Sequence, residues 1–199
     1  MKIFVLTKCI SGSGKCDPSC DVFASEQAAK EAMDEDIRAS IRDAADKYGI
    51  NTSNIEAKNS QGAKVVLMND NTYAWKVKAL ETDVRERDRV FVLLHAHNGG
   101  YVTYAESKVF TDINAAGTAM EDSFCSELEM WSLLKGKSIF INTKSRIERN
   151  TATIEYDGDV EIWVIEEREV SGENKEARVK RNGNPWKASM PCGRNYTFT

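Results

Sequence analysis

Over residues 2–10 apolar side chains fall on both alternating faces, Ile3 and Val5 on one and Phe4 and Leu6 on the other. A period of two with no wet side predicts an interior strand covered from both directions. Residues 89–97 repeat the pattern and run into Asn98-Gly99-Gly100, then Tyr101-Val102-Thr103-Tyr104. Asn-Gly between β-prone runs predicts a tight hairpin, because both turn positions tolerate positive φ. In the first stretch the equivalent link is a longer loop, residues 11–20. A strand–hairpin–strand unit is therefore expected twice, its second strand ending at Val22-Phe23 and at Val109-Phe110.

The period then lengthens. Ala29, Met33, Ile37, Ile41, Ala45 and Tyr48 recur at steps of three and four, with Asp34, Glu35, Arg38 and Arg42 off the stripe. That spacing predicts an amphipathic helix, with Ser25 as N-cap and Gly49 just past its end. A second helix follows the same phase through Ala116, Met120, Phe124 and Leu128, and adds Trp131 and Leu134 before Gly136. Gly117 inside it costs about 1 kcal/mol relative to alanine, so a close packing contact is expected there.

Loops over 50–62 and 137–150 lead to a closing hairpin in each case, turning at Asn69-Asp70-Asn71 and at Asp157-Gly158. Tyr73, Trp75, Val77 and Ala79 alternate with Ala74, Lys76 and Lys78, which predicts one buried and one wet face. In the second hairpin Val160, Ile162 and Val164 occupy the wet phase. That strand is apolar on both sides and needs a cover. The expected cover is the tail, residues 171–199 with Trp186; the rival is a homodimer through Val160, Ile162 and Val164.

Shifting the chain by 87 positions superposes these patterns. Phe4-Val5-Leu6 falls on Phe91-Val92-Leu93, Val22-Phe23 on Val109-Phe110, and Ala28-Ala29 on Ala115-Ala116. With Ala32, Met33, Gly12 and Gly49 the identities number eleven, against roughly 3 from ordinary composition. One position further on, Trp75 meets Trp163. The expectation is an α+β fold of tandem duplicated ββαββ units, 1–87 and 88–170, followed by the tail. The units are expected to be related by a pseudo-twofold axis, forming an antiparallel sheet with two helices packed on one face.

Composition narrows the function. The chain has 199 residues, 41% hydrophobic and 29% charged, as in ordinary globular proteins. A net charge of −4 argues against nucleic-acid binding. Six Lys and Arg against two acidic residues over 171–199 give a basic tail on an acidic body, expected to fold back by charge attraction. No run reaches membrane-spanning length, and five cysteines are too uneven for a secreted disulfide framework. A cytoplasmic location is expected.

Candidate chemistry is sparse. Ser11-Gly12-Ser13-Gly14-Lys15-Cys16 hints at a phosphate loop, but Cys9 replaces its first glycine, Cys16 its hydroxyl residue, and Asp17-Pro18 its helix. Cys9, Cys16 and Cys20 fit no common zinc spacing. Free structural thiols are expected, ahead of a metal site or a Cys16–Cys20 disulfide. His95 and His97, the only histidines, share one side of their strand and could meet Cys9 near the axis. The strand–helix–strand–strand order resembles duplicated ligand-sensing modules, which would place a small molecule in the groove between halves. The expected function is a non-enzymatic binding module taking a protein partner or a small ligand in that seam, at Lys8, Cys9, His95 and His97. No catalytic residue, metal or cofactor is assigned. The alternative is a small metal- or thiol-dependent hydrolase using His95, His97 and a first-loop cysteine.

Overall fold

A computed structural model describes residues 1–12, 15–48, 58–60, 63–68, 71–99, 102–135, 143–156 and 159–172. The turn tips at 69–70 and 157–158, the glycines after the helices and the tail beyond residue 172 lie outside the described residues, whereas Asn98 and Gly99, expected as a turn, are the last two residues of a strand, paired with Thr103 and Val102. The fold is α+β, with ten strands in one mixed sheet and two helices among the described residues. In chain order the elements are β1 (Lys2–Gly12), β2 (Lys15–Phe23), α1 (Glu26–Tyr48), β3 (Lys58–Ser60), β4 (Ala63–Met68) and β5 (Asn71–Glu81). They continue with β6 (Arg89–Gly99), β7 (Val102–Phe110), α2 (Ile113–Lys135), β8 (Thr143–Ile147), β9 (Thr151–Tyr156) and β10 (Asp159–Ser171).

The bounds of β6, β7 and α2 each stand 87 positions after those of β1, β2 and α1. Strand order in the first half is β3-β4-β5-β1-β2, and in the second β8-β9-β10-β6-β7. Even the register agrees: Phe4 faces Phe23 across β1 and β2, and Phe91 faces Phe110 across β6 and β7. The short β3 and β8 fall in stretches read as loops. Lys58-Asn59-Ser60 carries no apolar alternation to announce a strand; pairing with β4 alone defines it.

Both helices begin where side-chain caps dictate. Ser25 Oγ accepts from the Ala28 amide at 3.2 Å, and Asp112 Oδ2 accepts from the Ala115 amide at 3.0 Å. Each cap satisfies an amide that the first helical turn leaves without a partner. Gly117 departs from expectation. A Cβ built there would meet nothing within 4 Å, so no close approach explains the glycine.

The interior strands are covered twice, as their two apolar faces require, but not by helices side by side. Leu6, Phe23 and Trp75 pack under Ala29, Met33 and Ile37 of α1. Leu93, Trp163 and Ile165 pack under Ala116, Met120 and Phe124 of α2. The opposite faces meet each other: Ile3, Val5 and Val22 of the first half join Val90, Val92, Leu94 and Val170 of the second in one buried cluster. The expectation of two helices on one face is thereby corrected. Each half-sheet is its partner's second cover, and the helices lie on the two outer sides. Burying apolar surface in this seam contributes about 25 cal/mol per Å², which makes it a principal bond between the halves.

Nor is the sheet wholly antiparallel. Val170 and Ser171 of β10 pair in parallel with Val22 and Phe23 of β2, joining the two ladders at one edge. Just before that point Arg168 Nε donates to the Cys20 carbonyl at 2.7 Å, and Glu166 Oε2 accepts from the Cys20 amide at 3.0 Å. Two side chains, linked to each other by an Arg168–Glu166 ion pair at 2.6 Å, thus take over where backbone pairing stops. The linker is fastened as well. Val84 is buried in the seam, and the Arg87 amide donates to the Val170 carbonyl at 2.9 Å. Val160 is buried, while Ile162 and Val164 are half-buried.

Candidate functional site

Alternation along β6 sends Phe91, Leu93, His95 and His97 toward α2, and alternation along β10 sends Glu161, Trp163 and Ile165 the same way. Glu161 stands directly across from His97, and Trp163 across from His95. One carboxylate therefore reaches both rings. Glu161 Oε2 lies 2.6 Å from His95 Nε2, and its Oε1 lies 2.7 Å from His97 Nδ1. Glu161 is buried, and a carboxylate withdrawn from water is tolerated only when its oxygens are engaged. Tyr156 of β9 adds its hydroxyl at 3.2 Å from the same His97 nitrogen. The histidines are each 17% exposed, so the cluster reaches solvent at the end of the sheet.

Aromatic rings frame the group. His95 stacks on Trp163 with centroids 4.4 Å apart and planes 7° from parallel. Trp131 of α2 stacks on Tyr156 at 3.5 Å, closing the far side. Ser123, Glu127 and Trp131 follow at steps of four, so α2 presents them as one row over the strands. Ser123 Oγ accepts from Trp163 Nε1 at 3.0 Å. Glu127 Oε2 and Trp131 Nε1 are sealed from solvent and find no hydrogen-bond partner among the described residues. Burial, and then the negative charge of Glu161, raise the pKa of Glu127, with the two histidines opposing.

The same position in the first half is closed. Trp75 Nε1 donates to Asp36 Oδ2 at 2.6 Å, and Lys8 Nζ reaches Asp36 at 3.0 Å and Ser40 Oγ at 3.0 Å. The Lys8 ammonium also stands 5.6 Å from the Trp75 ring centre, within cation–π range. By the shift of 87, Lys8 answers to His95, Asp36 to Ser123 and Ser40 to Glu127.

The four residues expected to share a seam site occupy three places. Lys8 is under α1, and His95 and His97 are together under α2. Cys9 follows the phase of Ile3 and Val5 on the seam side, fully buried, with its sulfur 3.1 Å from that of Cys16. Sheet geometry explains the separation: odd positions of β1 and of β6 point in opposite senses relative to the seam. Among the described residues Cys9 and the two histidines thus face different sides of the sheets, and the seam is filled with side chains. A Cys16–Cys20 disulfide is also ruled out, since four residues of extended strand span about 13 Å, beyond disulfide reach. Cys20 gives its thiol to Glu166 at 3.2 Å, and burial first, then the Glu166 charge, push its pKa up. Among the described residues β1 and β2 pair as far as Gly12 and Lys15, and a strand rather than a helix runs on from Lys15. Among the described residues no group of three or more His, Cys, Asp and Glu is arranged to hold a metal ion. No described helix is long and apolar enough to cross a membrane.

Glu161, Glu127 and Tyr156 escaped the sequence reading. Glu161 had a signal: it is a charged residue at the inward phase of Trp163 and Ile165. No known protein family, curated protein or solved structure matches this chain.

Proposed function

We propose that the chain is a non-enzymatic binding module, formed by tandem duplication of one ββαββ core, and that its second copy carries the binding site beneath α2. The ligand is a small molecule that offers hydrogen-bond donors to Glu127 and Glu161 and a flat face to the surrounding rings. One observation carries this reading. At matched positions Lys8, Asp36, Ser40 and Trp75 satisfy one another, whereas Glu127 keeps a buried oxygen without a partner. A buried acceptor left unsatisfied costs about 1–3 kcal/mol, and an incoming donor would recover it. The duplication rests on the eleven shifted identities and on the common strand order. Coverage of Ile162 and Val164, by the tail or by a second copy, belongs to the same proposal, as does a cytoplasmic setting.

The test is a small-molecule screen read by NMR of the histidine side chains. Amine- and amide-bearing hits should shift His95 and His97 and lose affinity at least tenfold in Glu127→Gln. Hits that move only the valines of the seam, or hydrolysis of an activated ester abolished by His95→Ala, would overturn the proposal. A protein partner would appear instead as a screen with no hits and broad shifts over an exposed face.

A further inference from the structure

The cysteines of the first hairpin are a second piece of chemistry, on the other side of the sheets from the rings under α2, although the Glu161 charge reaches Cys16. Cys9 lies across from Pro18, and Cys16 across from Ser11, so the two cysteines are diagonal neighbours on one face of the β1–β2 ladder. Their sulfurs are 3.1 Å apart. A disulfide needs about 2 Å, so they must close by about 1 Å.

The hairpin is built to permit that movement. β10 pairs with β2 only at Val22 and Phe23, and its side chains clasp the backbone at Cys20. From Lys15 to Ser19 the backbone is therefore paired, among the described residues, with β1 alone. Pro18 shares the phase of Cys20 and Ala24, whose amides face away from β1, so at this position the strand has no donor to offer on its outer edge. The two sulfurs also differ in access. Cys9 is fully buried, whereas Cys16 is half-buried and can meet a reagent from solution.

We propose that Cys9 and Cys16 form a redox-active dithiol that closes reversibly into a disulfide within the β1–β2 hairpin, by exchange with a small-molecule disulfide. Cys16, as thiolate, attacks one sulfur of the reagent; that S–S bond breaks, and the departing small thiolate takes up the proton that Cys16 released. Cys9 then gives up its proton and attacks Cys16 Sγ. The mixed disulfide breaks and a second small thiol leaves. The protein loses two electrons and two protons, and the small disulfide gains them as two thiols. The proton distribution favours this order. The sulfur–sulfur contact and then burial push the Cys9 pKa up, and the same contact holds the Cys16 pKa below its ordinary value.

The experiment equilibrates the full chain in buffers of reduced and oxidised glutathione, traps free thiols by alkylation, and maps tryptic peptides by mass. Closure should join peptide 9–15 to peptide 16–30 with loss of two hydrogens, and reduced glutathione should reverse it. Cys20→Ser should close like the parent. Cys9→Ser should stop with glutathione on Cys16, and Cys16→Ser should leave Cys9 unmodified. A parent chain whose Cys9 and Cys16 stay alkylatable in the oxidised buffer would overturn the proposal. So would a parent that accumulates the glutathione adduct, or a cross-link that survives Cys16→Ser. Cys16 is half-exposed, so its variant keeps the test decisive even if Cys9→Ser folds poorly.

Discussion

Trp75 and Trp163 hold matching places in the two halves and keep different company. Both are buried, both point an indole N–H at the helix above, and both sit beside a basic residue of the neighbouring strand. Around Trp75 that residue is Lys8, whose charge meets Asp36 on α1. Around Trp163 it is His95, whose partner, Glu161, comes from the sheet and also holds His97. One half ties helix to sheet with an ion pair. The other keeps its charges within the sheet and leaves Oε2 of the helix carboxylate, Glu127, without a hydrogen-bond partner among the described residues. A common frame thus tolerates opposite polar solutions, because the aromatic and aliphatic packing, not the polar group, sets the backbone.

The sharpest way to break this comparison is to remove each half's central carboxylate. Glu161→Ala leaves two imidazoles facing a void and should cost about 3 kcal/mol in urea unfolding. Asp36→Ala leaves the Trp75 N–H and the Lys8 ammonium without their partner and should cost about 2 kcal/mol. Ser123→Ala at the matched site removes one neutral acceptor and should cost about 1 kcal/mol. If Ser123→Ala equals or exceeds Asp36→Ala in the same melts, the two helices are not anchored differently.

Position 117 sharpens the comparison in the stabilising direction. α1 carries Lys30 there, paired with Glu26 at 2.6 Å, where α2 carries Gly117 with open space around it. Gly117→Ala should add about 1 kcal/mol, seen as a raised melting temperature, and Lys30→Gly should remove about as much.

The smallest effect concerns pH. The pKa of Glu127 is raised in the folded chain, so its folded form binds its proton more tightly than the unfolded chain does. Stability from this group is fully present below the unfolded carboxylate pKa and is lost as pH rises through the folded one. Glu127→Gln should remove that loss. Variant and parent should run parallel at acid pH and separate above it, the variant being the more stable, in denaturant midpoints measured across a pH series.

Much of the backbone was legible in the chain, and the reason lies in particular residues. Phe4 and Leu6 against Ile3 and Val5 announce a strand with two covers, and that is what β1 has. The Ala29-Met33-Ile37 stripe and Ser25 fix α1 in phase and start. What supplies each cover was not legible, since an apolar face records that it is buried and not against what. A single apolar stripe on each helix says that it covers a sheet and not which side of the molecule it takes; the valines of the seam fill the side opposite each helix. The cluster under α2 stayed hidden for a related reason. Glu161 joins His95 and His97 only through the pairing of β10 with β6, some 65 positions apart in sequence. Periodicity along one strand carries no information about its neighbour.

The parallel junction of β10 with β2 has a temporal consequence. Val22 emerges early in synthesis and Val170 among the last of the described residues, yet each completes the other's edge. Until β10 arrives, β2 keeps a bare strand edge, a feature that invites aggregation in partly made chains. Among the described strands β10 therefore closes that edge last, and a nascent chain halted after β5, which lacks both β10 and the β6 valines of the seam, should depend on chaperones more than one carried past β10.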